Sequence, residues 1–232
     1  NAVIATGARA ALPPIPGLAE SGFLTNETVF SLTVLPARLL VIGGGPIGCE
    51  LAQAFQRLGS AVTLLEAGPQ LLPREDDDAA SLVRDALHRD GVQVLCGTTV
   101  ERVEAHGAAS TTYIRISHET RAVDSDAILV CTGRAPNVDG IGLEKVGVRY
   151  DTRYGVAVDD FLRTTNPRIY AAGDVCMQHK FTHAADAAAR IVIQNALFGF
   201  LPKKRASALT IPWCTYTDPE IAHVGLGERD AA

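Results

Sequence analysis

Apolar residues recur along the chain in two rhythms, and the switch between them marks out the elements. A short apolar run from Ala2 to Ala5 predicts a strand that ends at Thr6-Gly7. Leu12-Pro13-Pro14-Ile15-Pro16-Gly17 then excludes regular helix and central strand, because proline fixes φ and lacks an N–H. Leu39-Leu40-Val41-Ile42 is continuously apolar, as expected of a parallel strand buried on both faces. Ile47, Leu51, Ala54, Phe55 and Leu58 follow at helical spacing, with Gly59 as the left-handed stop. Ala61 to Leu65 predicts the next strand, ending at Glu66. A second helix is expected over 76–89, burying Ala79, Leu82, Val83, Ala86 and Leu87, and its acidic start reads as a solvated first turn favoured by the helix dipole. Val92 to Leu95 is a further strand. Three shorter runs, Val100–Glu104, Tyr113–Ser117 and Arg121–Asp124, read as an antiparallel meander where a crossover helix might otherwise stand. Ala127 to Cys131 returns as a buried strand. Residues 151–170 read as hairpin and loop, Ile169 to Ala172 as a last strand and Ala184–Leu197 as an alanine-rich helix.

Composition narrows the class. Apolar residues make up 47% of the 232, aromatics 6%, and there are 21 glycines, a mix suited to α/β structure with tight turns. The net charge of −5, without a basic block, makes nucleic acid and anionic membrane poor partners. No apolar run approaches the ~18 residues of a membrane span. None of the five cysteines is near another in sequence, and Cys49, Cys96 and Cys131 lie in apolar patterns. They read as small buried residues in a reducing, cytoplasmic setting. The chain opens inside a strand-like run without an initiator Met and closes just after a new segment begins, so an internal fragment is expected.

The strongest chemical signal is Gly43-Gly44-Gly45-Pro46-Ile47-Gly48, a G-x-G-x-x-G placed after an apolar strand and before an amphipathic helix. Gly43 permits the tight turn, Gly45 lets backbone approach a pyrophosphate, and Gly48 lets helix and strand pack closely. The helix start offers free N–H groups and a positive dipole end, and Pro46 costs little there. Glu66 follows roughly 20 residues on, where an acid accepts hydrogen bonds from a free adenosine ribose and repels a 2′-phosphate. NADH is therefore expected over NADPH, although the same residue would serve as an ordinary polar strand end.

Two similar strand-end turns, Ala5-Thr6-Gly7 and Cys131-Thr132-Gly133-Arg134-Ala135-Pro136-Asn137, flank this unit. Ile169-Tyr170-Ala171-Ala172-Gly173-Asp174 then sets an acid after a buried strand and a glycine, where it can accept a polyol hydroxyl. With Lys180-Phe181-Thr182-His183 and Tyr216-Thr217-Asp218-Pro219-Glu220-Ile221-Ala222-His223-Val224-Gly225, these stretches resemble the two-dinucleotide flavoprotein disulfide reductases. Pro212-Trp213-Cys214 leans toward their mercuric-reductase-like branch.

That resemblance implies an α/β fold: a Rossmann-like NAD-binding domain, with a parallel sheet and an antiparallel meander, inserted in a partial FAD-binding domain. The implied division is 1–35 for the end of a first FAD segment and linker, 36–138 for the NAD(P) domain, 139–206 for the returning FAD segment, and 207–232 for the start of a dimerisation domain. It further implies that Gly43, Gly44, Gly45, Pro46, Ile47 and Gly48 hold the NAD pyrophosphate. Glu50 would sit near nicotinamide and flavin, Val100 would touch adenine through its backbone, and Gly133 would lie beside the nicotinamide. Thr6, Gly7 and Asp174 would serve FAD, Asp174 through the ribityl chain, with Lys180, Phe181, Thr182 and His183 along the isoalloxazine ring. The redox cysteine pair would lie upstream of Asn1 and the acid–base His and Glu beyond Ala232, which leaves no catalytic residue in this chain. A small-molecule electron acceptor and a homodimeric parent enzyme are also implied.

Other readings stay open. An NADH:acceptor reductase or transhydrogenase would keep both nucleotides without the cysteine pair. A non-catalytic module that senses nicotinamide nucleotides would not need Asp174 or Ala5-Thr6-Gly7. His179 and His183, with Cys176 nearby, lack a fourth ligand for a metal site. His88, His106, His118 and His223 are most simply surface residues.

Overall fold

A computed structural model describes residues 1–231, which form two compact units. One contains residues 10–133 with 214–232, the other residues 1–9 with 134–213.

The first unit is built on a four-stranded parallel sheet. Its spatial order is Gln93–Leu95, Ala61–Leu65, Arg38–Ile42, Ala127–Val130. Alternate residues of one strand serve opposite faces. Leu39, Val41, Val62 and Leu64 pack with Cys49, Ala52, Val83 and Leu87 on the helical face. Leu40, Ile42, Leu65 and Val130 pack with Leu18, Val103 and Ile114 on the other. Two-sided burial explains the continuous apolar runs, and each fully buried leucine contributes ~1.5–3 kcal/mol. The meander, Thr98–His106, Ala109–Ile116 and Glu119–Ser125, supplies the second covering layer and is longer than its apolar runs suggest. Its register slips between Val100 and Arg102, the mark of a bulge.

Helices Pro46–Leu58 and Asp77–Asp90 both end on a left-handed glycine, Gly59 at φ 110° and Gly91 at φ 98°. Leu51 and Phe55 pack against the core, and Val83, Ala86 and Leu87 are buried as the apolar spacing suggests, but each face also departs from it. Gly48, Cys49, Ala52 and Gln53 are buried in the first helix, while Leu58 is 68% exposed. Ala80, Val83, Ala86 and Leu87 are buried in the second, and Leu82 is 61% exposed. At Gly48, Cys49, Ala52 and Ala80 small residues take buried positions and let a helix lie close to the strands. The acidic start of the second helix is also not solvated throughout, since Glu75 is only 4% exposed.

The second unit pairs Ala2–Ile4 in parallel with Ile169–Ala171. A short hairpin joins Tyr150–Asp151 to Gly155–Val156. Helix Thr182–Leu197 buries Ala188, Ile191 and Val192 with Leu162 and Tyr170, and a smaller cluster gathers Val138, Leu143, Val148 and Val175. Among the described residues, no helix is long and apolar enough to cross a membrane.

Candidate nucleotide sites

The glycine turn lies where the strand order reverses, between Arg38–Ile42 and Ala127–Val130, the usual crevice for a ligand in an open parallel sheet. Gly43 has φ 112° and packs against the Cys131 carbonyl so closely that a Cβ would collide with it. A Cβ on Gly48 would strike the Gly43 carbonyl oxygen, so the helix approaches this turn only because residue 48 is glycine. Gly45 is different. Its φ of −75° suits any residue and nothing lies within 4 Å of where its Cβ would be. Open space in front of the first turn of Pro46–Leu58, where N–H groups have no helical partner, fits a pyrophosphate.

Glu66 closes this turn from the next strand. One carboxylate oxygen accepts the Gly44 N–H at 2.7 Å and the other accepts the Gly68 N–H at 2.6 Å. The acid thus shapes the turn, and each oxygen retains a lone pair for a ribose hydroxyl. Leu72 N–H donates to the Gly44 carbonyl at 2.8 Å and adds a second brace. Val100 is half-buried in the cluster under the meander. Gly133, at φ 119°, accepts the Ala11 N–H through its carbonyl.

Glu50 is half-buried and accepts the Tyr216 N–H at 2.9 Å. Burial raises its carboxyl above the usual range, and the Tyr216 N–H partly offsets that. His223 is not a surface residue: its Nδ1 lies 3.1 Å from Glu75 Oε2, with the side chain 12% exposed. Residues 221–223 pair with 213–215 as a short ladder, and Ile221 packs against the helical-face core, which carries His223 inward.

In the second unit the two strand-end turns meet. Thr6 Oγ1 donates to the Asn137 carbonyl at 2.7 Å, Asn137 Nδ2 donates to the Thr6 carbonyl at 2.9 Å, and Asn137 N–H donates to the Gly7 carbonyl. Asp174 follows strand Ile169–Ala171. Its Oδ2 lies 3.1 Å from Arg134 Nε, an ion pair whose N–H is not aligned for a hydrogen bond. Arg134 meanwhile donates from Nη2 to the Ala8 carbonyl at 2.8 Å. Asp174 is therefore charge-balanced and still has acceptor capacity for a hydroxyl. Lys180 Nζ donates to the carbonyl oxygens of Asp174 and Met177 and so braces this turn. Phe181 and His183 stack at 5.4 Å, and Phe181 and Trp213 at 6.3 Å, with Thr182 opening the long helix. His183 Nε2 donates to the Pro212 carbonyl at 2.6 Å.

Arg134 and Gln53 had no assigned role in the sequence. Arg134 sits inside the quoted turn, and Gln53 stands one helical turn beyond Glu50, so spacing alone offered a hint of each. All five cysteines are free, and burial is the first cause raising each thiol, Cys131 and Cys176 to about 12. None is an activated thiolate. Among the described residues, no group of three or more His, Cys, Asp or Glu is placed to hold a metal.

Residues 1–190 match the family model for pyridine nucleotide-disulphide oxidoreductases. A mercuric reductase of Staphylococcus aureus is 38% identical over 229 residues, covering 99% of this chain and 42% of that protein. A dihydrolipoyl dehydrogenase of Bacillus subtilis is 34% identical over 229 residues, covering 99% and 49%. A solved Cu(II) complex of the HOCl-induced flavoprotein disulfide reductase RclA of Escherichia coli superposes with a TM-score of 0.88 at 33% identity, covering 99% of this chain and 52% of that one. The chain thus spans less than half the length of these curated relatives.

Proposed function

Because the chain belongs to the pyridine nucleotide-disulphide oxidoreductase family, we propose that it is the nucleotide-handling part of an FAD-dependent NADH oxidoreductase. The observation that carries this reading is the pairing of two polar cradles in one chain. One is the open, glycine-lined helix start at Gly45; the other is the Thr6–Asn137 turn with Asp174. Bound FAD would accept hydride from the nicotinamide and deliver the electron pair to a redox disulfide.

The chain's own residues bind and orient. Gly43 to Gly48 leave room for the pyrophosphate, and the first turn of Pro46–Leu58 directs N–H groups to it. Glu66 accepts from the ribose and its charge disfavours a 2′-phosphate, which makes NADH the preferred donor. Glu50 presents a half-buried carboxyl on the nicotinamide side, with Gly133 beside it and Val100 toward adenine. Thr6, Gly7 and Asp174 hold the flavin's polyol and phosphate side, and Lys180 to His183 line its ring. In the parent protein the acceptor is a small molecule, the assembly a homodimer opened by residues 207–232, and the setting cytoplasmic. A mercuric-reductase-like parent is favoured by the 38% identity to a mercuric reductase.

The test is anaerobic titration of the full-length protein with NADH, followed near the flavin absorbance maximum and by thiol counting. The first NADH per flavin is expected to yield two new thiols, and a second NADH to bleach the flavin. Bleaching without new thiols indicates an acceptor reductase lacking the disulfide, and absence of flavin overturns the enzymatic reading. Re-oxidation by mercuric ion, lipoamide, another disulfide or a quinone then identifies the acceptor.

A further inference from the structure

Three polar side chains on one face of helix Pro46–Leu58 reach a segment far away in sequence. Glu50 accepts the Tyr216 N–H. Gln53, one turn on and 4% exposed, accepts the Asp218 N–H at 2.8 Å through Oε1 and donates to the Asp218 carbonyl at 3.0 Å through Nε2. Nε2 also donates to Asp90 Oδ2 at 2.9 Å. Arg57, a further turn on, joins Asp90 to the Asp218 carboxylate. Thr215 and Thr217 are buried beneath, at 0% and 3% exposure.

A buried amide that uses both ends on the backbone of one residue fixes register. A slip onto Pro219, which has no N–H, would leave the buried Oε1 without its donor, while Nε2 would keep only Asp90. The same register sets which N–H meets Glu50, two residues earlier in the segment. We propose that Gln53 is a positioning residue: its grip on the Asp218 backbone holds the Tyr216 N–H on Glu50 and so sets how readily Glu50 keeps its proton. This rests on the reading of Glu50 as a nicotinamide-side carboxyl.

An N–H bonded to a carboxylate favours the charged form, while burial disfavours it. Glu50 is subject to both, and burial is the larger. The titratable groups that feel the Glu50 charge are Cys49 on its own helix and Cys214 on the docked segment. Burial raises the Cys49 thiol first, then the charges of Glu66 and Glu50; burial likewise raises Cys214, then Glu220 and Glu50. Arg57 is committed to Asp90 and Asp218. The N–H from Tyr216 is thus the one contact in this set that pulls Glu50 toward its charged form.

The experiment is a 13C NMR titration of the Glu50 carboxyl in the full-length protein, assigned by Glu50→Gln, beside the pH profile of NADH-driven flavin reduction. Gln53→Met keeps the volume and removes the grip; the Glu50 midpoint is expected to rise by ~0.5–1 pH unit. Asp218→Ala removes the Arg57 ion pair but not the gripped backbone, and the midpoint is expected to stay. Gln53→Asn, too short to reach both backbone groups, gives the same reading as Met if the Met variant does not fold. An unchanged midpoint in a folded Gln53 variant, or an equal rise in Asp218→Ala, overturns the grip. A risen midpoint with an unmoved kinetic limb keeps the grip and overturns the placement of Glu50 at the nicotinamide.

Discussion

The two units hold their candidate nucleotide-site residues by different means. In the unit of residues 10–133 and 214–232 the glycine turn rests on backbone packing within a sheet covered on both faces, Gly43 against Cys131 and Gly48 against Gly43, with the Glu66 carboxylate as a brace. In the unit of residues 1–9 and 134–213 the parallel strands are a single short pair, and side chains do the holding. Thr6 binds Asn137, Arg134 binds Ala8 and Asp174, and Lys180 binds the Asp174 carbonyl. A backbone-held turn fails when a Cβ is added. A side-chain-held turn fails when one polar group is taken away.

That contrast breaks most forcefully at Gly48. Gly48→Val drives a side chain into the Gly43 carbonyl, and chemical denaturation should record a loss of about 3 kcal/mol, the upper range for overpacking. A smaller loss would mean that the helix can move off the strand. Glu66→Ala comes next. It leaves two N–H groups, of Gly44 and Gly68, without their acceptor, a cost of about 1–3 kcal/mol by the same measurement. It should also narrow the ratio of NADH to NADPH rates in the full-length enzyme; an unchanged ratio would leave Glu66 as a brace of the turn alone. Arg134→Met tests the side-chain-held unit. It removes the Asp174 counter-ion and the Ala8 bond, and should cost about 1 kcal/mol together with flavin retention, read by absorbance after gel filtration.

The smallest effect is a pH dependence. Arg57's hydrogen bond holds Asp90 below its ordinary 3.8, assisted by Gln53 and opposed by burial. A depressed carboxylate stabilises above its unfolded value and loses that stabilisation as pH falls through the folded one. Asp90→Asn should therefore lower Tm slightly at pH 7 and by less at a pH well below 3.8. An equal drop at both values would assign the loss to packing instead of charge.

The same contrast governs how much was legible in the sequence. Strands buried on both faces write unbroken apolar runs, and a glycine that must avoid a Cβ cannot be replaced silently, so the sheet and the turn stood out. The helix faces were misread at Leu58 and Leu82, because large apolar residues marked the expected stripe while Gly48, Ala52 and Ala80 faced the strands. Glu75 and His223 read as surface residues since their partner lies far away in sequence. Arg134, Gln53 and the second use of Glu66 were hidden for the same reason: polar ties between distant residues have no period.

The central claim is that the open space at Gly45 is kept for a dinucleotide. It is tested most directly by titrating the protein and its Gly45→Ala variant with NADH by calorimetry, with Tm measured on both. Because Gly45 has an ordinary φ and no neighbour within 4 Å of its Cβ position, Tm should be unchanged while NADH affinity falls about tenfold or more, a loss of ~1.4 kcal/mol. Equal affinity in the two proteins, or no NADH binding by either when folded, would contradict it.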